Sequence, residues 1–453
     1  MGASNHLGSE KMSRLVLKIA LPSMLAQFVN VLYSIVDRMF VGNIPGVGDL
    51  SLAGVGVCGP IVTMISAFAF LIGVGGSPLL GIALGEGNRD KAEKILSNCF
   101  VMLCGVSLLV TATALWMKKP MLYLFGASDM IYPYADAYFT VYVSGTFFAL
   151  LSIGLYQFVV AQGFAKTGMC SVILGAVMNI ILDPIFIYVF DMGVRGAATA
   201  TVISQACSAT FVTVFLLKKA DVTIKFKGYS SAIMSRVLTM GFTPFIIIAV
   251  DNVMIIAMNA LLQHYGGVEG DALITTNTIV QSFMLVMTMP LGGISAGTQC
   301  ILSYNFGARQ TNRVREAQKY IIAMCIGYTA LLFVLARVAG PLFASLFTSD
   351  PALNAQACRA IRICTLFAIP LGIQYPIVDG FTGMGQVRWA LFLSTWRKTV
   401  YFVALFLLPL FGPAHIIFYA EPISDILALA MSGPVFLYIT PKILKRREIE
   451  PIV

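Results

Sequence analysis

Three aspartates, Asp37, Asp183 and Asp251, stand inside stretches otherwise too apolar to hold a charge, and Asp379 lies near the end of a fourth such stretch. A charge within hydrocarbon costs at least ~2.5 kcal/mol even on the lenient insertion scale, so each carboxylate needs a partner or a task. Asn30 precedes Asp37 by seven residues and Asn179 precedes Asp183 by four, spacings that put each pair on one face of a helix. Pro184 follows Asp183. A proline inside a helix leaves the carbonyl four residues back, that of Ile180, without its donor and kinks the chain. Two carboxylates, two amides and a free carbonyl form a hard-oxygen set suited to Na⁺, with Asp37, Asn179 and Asp183 as ligands, or to a carried proton if one aspartate is protonated. The competing readings are an ion pair of Asp37 with Arg38 and a kink cap at Asp183. Successive helix residues do not face each other, and Arg38 is long enough to reach the interface.

The second half of the chain does not repeat this set, since Asn259 takes the place of Asp37. Asp251 is a candidate for a secondary or substrate site, together with Gln157 and a wall of Met284, Met287 and Met289 beside Phe283, soft side chains that can cover varied apolar bodies. Lipid-facing filler is the competing reading of the methionines. Asp379 lies where a helix end tolerates charge, and Glu421 and Asp425, four residues apart, line an outer vestibule or mark the interface.

The elements that must position these residues are membrane spans. The chain is 58% hydrophobic and 11% charged, with a mean hydropathy of +0.85, too little polar surface to cover a water-soluble fold. Apolar runs of the ~20 residues needed to cross ~30 Å of hydrocarbon occupy 15–40, 52–82, 97–117, 138–163, 169–190 and 195–217, then 237–262, 273–303, 320–347, 358–383, 390–411 and 416–440. These are twelve candidate spans of an all-α polytopic membrane protein. The first run is too long for a cleavable signal peptide. Lysines and arginines gather in alternate loops, including Arg388, Arg397 and Lys398 around the start of span 11. The positive-inside rule then puts both termini in the cytoplasm of a cell whose inner membrane the chain crosses.

One register relates the halves. Ser13-Arg14 recurs as Ser235-Arg236, Pro22 as Pro244, Gly75 as Gly297, Gly85 as Gly307 and Phe125 as Phe347, each 222 residues on. Later, Gln157-Phe158 and the six residues after it return as Gln374-Tyr375 and their followers. Six spans per copy give two lobes of one orientation, related by a pseudo-two-fold along the membrane normal, the pattern of a secondary transporter. The domains read as a terminus at 1–14, a first lobe at 15–217, a connection at 218–236, a second lobe at 237–440 and a tail at 441–453.

Other chemistry finds no support. Nine cysteines show no close metal or redox spacing, and His6, His264 and His415 are scattered, so no convergent catalytic set is legible. The net charge of +9 follows membrane topology and does not call for nucleic acid. Gly73-Val74-Gly75-Gly76 and Gly292-Gly293 with Gly297 lie inside spans, where small residues allow close helix approach.

Several phrases carry a family likeness. Leu21-Pro22 and Val36-Asp37-Arg38-Met39-Phe40-Val41-Gly42 bracket span 1; Leu84-Gly85-Glu86-Gly87 follows span 2; Asn179-Ile180-Ile181-Leu182-Asp183-Pro184 precedes Gly196-Ala197-Ala198-Thr199-Ala200-Thr201; Tyr304-Asn305-Phe306-Gly307-Ala308 follows span 8. Together they resemble the multidrug and toxic compound extrusion (MATE) family, bacterial members above all, with Arg38 standing where a smaller residue is common. The resemblance implies a V of two six-helix lobes exporting organic cations in exchange for H⁺ or Na⁺, without a cofactor and as a single chain in the bilayer. It also implies that Asp37, Asn179, Asp183 and Thr201, with Asn30 as a fifth member, form the first lobe's cation site. A flippase for lipid-linked sugars is the alternative sharing this architecture.

Overall fold

The computed structural model describes residues 3–348 and 350–449, so the ends of the expected terminus and tail, 1–2 and 450–453, lie outside the described residues. Ten single helices and two bent pairs are long and apolar enough to cross a membrane. The first six spans are Met12–Gly42, Gly48–Gly85, Arg89–Trp116, the pair Tyr132–Ser144 with Thr146–Ala161, Ala165–Pro184 and Gly193–Lys218. The last six are Ser231–Gly266, Gly270–Gly297 continued by Gln299–Gly307, Thr311–Val338, the pair Pro351–Cys364 with Ala368–Gly383, Val387–Leu407 and Ala420–Ile449. Twelve spans in two lobes are therefore present, as the hydrophobic runs predict.

Several helices outrun the apolar stretches that announce them. Span 7 starts at Ser231, inside the expected connection, and span 12 continues to Ile449. Backbone hydrogen bonds close a helix whatever its side chains, so polar flanks remain helical beyond the hydrocarbon. The connection itself is stitched to the first half. The Gln162 amide donates to the Val222 carbonyl at 3.2 Å and accepts from its N–H at 2.7 Å. Asn98 accepts from the Ser230 N–H at 2.9 Å.

Spans 4 and 10 are broken, by 57° and 49°, at equivalent places in the two copies. The break in span 4 contains no proline, whereas Pro370 follows the break in span 10 and leaves the Leu366 carbonyl without its helical donor; hydropathy alone reads each pair as one run.

Two hydrophobic cores form, but spans 1 and 7 serve both. Leu15, Val16 and Ile19 of span 1 pack in the second core, whereas Val41 at its far end belongs to the first. Span 7 does the reverse, with Val237 and Met240 in the first core and Met254 and Met258 in the second. The crossing brings the lobes together on the face that holds both termini. There the backbones touch. A Cβ on Gly241 would stand 1.6 Å from the Leu71 carbonyl oxygen, and one on Gly85 would stand 2.0 Å from that of Tyr304. On the same face Leu7 is held by Asn305 and Arg313, whose side chains donate to its carbonyl at 3.0 and 3.2 Å.

The seam makes a contrast between two glycines testable. Gly292 meets nothing within 4 Å, so Gly292→Ala should leave the thermal midpoint of the detergent-solubilised protein unchanged or slightly raised, as alanine favours a helix by up to about 1 kcal/mol. Gly241→Ala should lower that midpoint, since overpacking costs roughly 1–3 kcal/mol or more. Equal midpoints for the two variants would mean that the backbone contact is not what joins the lobes.

Candidate functional site

Span 5 runs straight through Asp183 to Pro184 and then widens into a π-turn at Ile185–Val189, so the expected proline kink takes the form of a widened turn. The turn lets Tyr188 donate its hydroxyl to the Phe40 carbonyl at 2.7 Å, tying span 5 to span 1 three residues beyond Asp37. As a result Asp37 and Asp183 face each other within hydrogen-bonding reach. Asn179 donates through Nδ2 to Asp183 Oδ1 at 3.2 Å and to Thr201 Oγ1 at 3.4 Å. Thr201 in turn donates to the Ala197 carbonyl at 3.0 Å. Four of the five residues expected in the first-lobe cation site thus lie together. Asn30 sits on a neighbouring wall, where its Nδ2 donates to Gln27 Oε1 at 3.3 Å.

Asp183 and Asn179 are buried, at 0% and 1% exposure. Three acceptor oxygens in this cluster, Asp37 Oδ1, Asn179 Oδ1 and Asp183 Oδ2, are buried without a hydrogen-bond donor among the described residues. Buried acceptors are normally satisfied, and leaving them bare costs free energy. A proton between the carboxyls or a hard monovalent cation among the oxygens meets that need. No group of three or more His, Cys, Asp or Glu side chains placed to hold a metal occurs among the described residues. The ligand set here is two carboxylates with neutral oxygens.

Beside the cluster is a cavity of about 430 Å³ lined from spans 1, 2, 4, 5, 6 and 8. Its polar wall includes Asn30, Gln157, Asn179 and Thr201, as well as Tyr142 and Gln205, which sequence reasoning missed. The signal was present: Gln27, Asn30 and Ser34 recur at helical spacing on one face of span 1, and Ser204, Gln205 and Ser208 recur on span 6. Arg38 is the one charged side chain on the wall, and it makes no ion pair with Asp37.

The second lobe departs from expectation. Met284 and Met287 are buried in the second core, at 7% and 0% exposure, and do not line this cavity. Leu285 and Met289 do. Thr278 and Ser282 lie at helical spacing on the face of Leu285 and Met289, so the polar residues of span 8 pointed to the cavity face. Arg397 and Lys398 do not belong to a loop but sit in the middle of span 11, Val387–Leu407. Arg397 is held by Glu421 at 2.7 Å and Asp425 at 2.9 Å. Lys398 pairs with Asp251, so Asp251 has a basic partner and is absent from the cavity wall. Glu421 and Asp425 are counter-ions of a buried arginine. Asp379 accepts from Ser295, and from Gln299 at 3.0 Å, which links spans 8 and 10. Buried cations can be matched with carboxylates from sequence only if both are first placed inside spans.

The fold and its sequence have clear relatives. Multidrug export protein MepA of Staphylococcus haemolyticus is 25% identical over 421 residues, covering 91% of this chain and 92% of that protein. The protein of the same name from Staphylococcus aureus strain MRSA252 is 25% identical over 430 residues, 93% of each chain. Among solved structures, an outward-facing multidrug resistance MATE family transporter of the MOP superfamily superposes with a TM-score of 0.91 at 21% identity, covering 98% of this chain and 99% of the other. A MOP superfamily transporter from Pyrococcus furiosus, described as having a binding pocket of reversed polarity, superposes equally well at 20% identity over 98% and 99%. The MatE family pattern itself matches twice, at residues 22–185 and 245–407, one match in each half, and the chain therefore belongs to the MatE family of multi-pass membrane transporters.

Proposed function

We propose that the protein is a secondary multidrug antiporter of the cell's inner membrane, exporting organic and mostly cationic compounds in exchange for H⁺ or Na⁺ by alternating access. The observation that carries this reading is the facing pair Asp37–Asp183, backed by Asn179 and Thr201 and set directly behind the wall of the cavity. Two carboxylates this close in a buried site cannot both remain ionised without a cation between them. Binding a proton or Na⁺ and binding a lipophilic cation nearby therefore compete for the same negative charge. Coupling further requires that the ion bind the outward- and inward-open states unequally, because equal affinity shifts nothing. The π-turn beside Asp183 and its Tyr188–Phe40 bond link occupancy of the pair to the relation between spans 1 and 5.

Substrate contact is assigned to the cavity wall, with Gln157, Asn30 and Met289 against the cargo. The paired charges of Asp251, Lys398, Arg397, Glu421 and Asp425 hold the second lobe, and no coupling step is assigned to them. Both termini face the cytoplasm, and the first and second lobes correspond to 15–217 and 237–440, with the connection 218–236 between them. A single chain suffices for transport.

Arg38 on the cavity wall favours a second reading, in which the cargo is an amphiphile with an anionic head, such as a lipid-linked sugar. The two are separated by offering reconstituted protein a fluorescent lipophilic cation and a matched anionic amphiphile.

Asp37→Asn and Asp183→Asn should each reduce gradient-driven efflux of the cationic dye in proteoliposomes to the passive leak, while both variants elute as folded protein. Transport at the parental rate by either variant removes that residue from coupling. Imposing pH and Na⁺ gradients separately on the same vesicles identifies the ion.

Orientation is tested in a cysteine-free background. Single cysteines at Lys225 and Arg315 should react only with reagent admitted to the cytoplasm, and one at Asp129 only with reagent outside. Labelling of Lys225 from outside inverts the topology.

A further inference from the structure

Arg38 is the one charged side chain on the wall of the cavity of about 430 Å³, and it directly follows Asp37 on span 1. Among the described residues it has neither a hydrogen bond nor an ion pair. Its charge nevertheless reaches the Asp37 carboxyl. Asp37 and Asp183 themselves stand behind the wall, which Asn179 and Thr201 line in front of them. Asp136, at the start of span 4, is matched by Lys118 at 2.8 Å, and Asp251 by Lys398 in the second lobe, so neither adds an open charge to this site.

Two carboxylates and one guanidinium therefore meet at the cavity, and they leave a single negative charge to be matched. Unmatched charge in a low-dielectric site is costly. One proton or Na⁺ at the aspartate pair matches it, and one monovalent organic cation in the cavity matches it equally well. With both present the site carries a surplus positive charge, and with neither it leaves one carboxylate uncompensated. Without Arg38 the balance changes. Two negative charges would accept the ion and a monovalent cargo together, or a doubly charged cargo alone. A site that holds ion and cargo at once carries both in the same direction, whereas exchange requires each to displace the other.

On the antiport reading given above, on which this rests, we propose that Arg38 limits the first-lobe site to one added positive charge at a time, so that the coupling ion and a monovalent organic cation exclude each other and doubly charged cargo is disfavoured. Arg38 acts through its charge and need touch neither ion nor cargo. A carboxylate partner would cancel that charge, and Arg38 has none.

Equilibrium binding of tetraphenylphosphonium to the full-length protein in detergent tests the proposal. In the parent, each tenfold rise in the competing ion, H⁺ or Na⁺, should raise the apparent Kd of the probe by about tenfold once the ion saturates, as mass action requires of ligands that exclude each other. In Arg38→Gln the rise should level off when the pair is loaded, and Arg38→Lys, which keeps the charge, should restore it. The ratio of affinities for a mono- and a bis-quaternary ammonium of one chain length is a second readout that misfolding does not imitate. Arg38→Gln should shift this ratio toward the doubly charged probe by roughly tenfold or more, the weight of one unit charge a cavity's width away at an effective dielectric of about 20, and Arg38→Lys should not. Undiminished competition in Arg38→Gln, or an unchanged ratio, overturns the proposal and leaves the antiport reading standing. Parent protein whose probe binding responds to neither ion, or which prefers a matched anionic amphiphile, overturns both.

Discussion

The contact of helix backbones across the lobes, with glycine where any side chain would collide, is the constraint on which the rest of the molecule depends. Lipid offers no hydrophobic drive for helices to associate, so close packing and backbone proximity must do it. Gly241 against Leu71 and Gly85 against Tyr304 close the terminal face.

The two halves share a scaffold and differ in electrostatics. In the first, Asp37 and Asp183 are brought together without a cationic side chain between them, and several of their oxygens lack donors. In the second, every deep carboxylate has a cationic or hydrogen-bonding partner: Asp251 has Lys398, Glu421 and Asp425 have Arg397, and Asp379 has Ser295 and Gln299. Breaking one of the buried ion pairs strands the other charge, typically at a cost of about 3–5 kcal/mol. The second lobe is therefore held in one arrangement by its charges, whereas the first is left responsive to what binds.

The spans and the repeat were legible because hydrocarbon length and duplication write themselves directly into hydropathy and register. Asp37, Asp183 and Asn179 were legible for a similar reason: a carboxylate inside a span is costly enough to announce itself, and helical spacing gives the face, whereas Thr201 entered only through the family resemblance. Arg397 and Lys398 were missed because the positive-inside rule, sound on average, absorbs every cation near a span end, although the run from Trp389 to Phe411 contains them. Met284 and Met287 were chosen by residue type alone, although Thr278 and Ser282 lie at helical spacing on the face of Leu285 and Met289. The break in span 4 has no proline to mark it, and that in span 10 has Pro370 just after it.

The exchange of packing by spans 1 and 7 bears on where such a chain comes from. Each half sends the start of its first helix into the other half's core and finishes that helix in its own, so neither half encloses a complete hydrophobic interior. Joined by a single connection, this is the geometry of a swapped homodimer, in which two identical subunits trade the same element about a two-fold axis. Fusion of the two genes then removes the concentration dependence of pairing and frees the copies to diverge. One kept its bare carboxylates, and the other carries Asn259 in place of Asp37 and ion pairs elsewhere in its spans, a division of labour that an obligatorily symmetric dimer could not have reached.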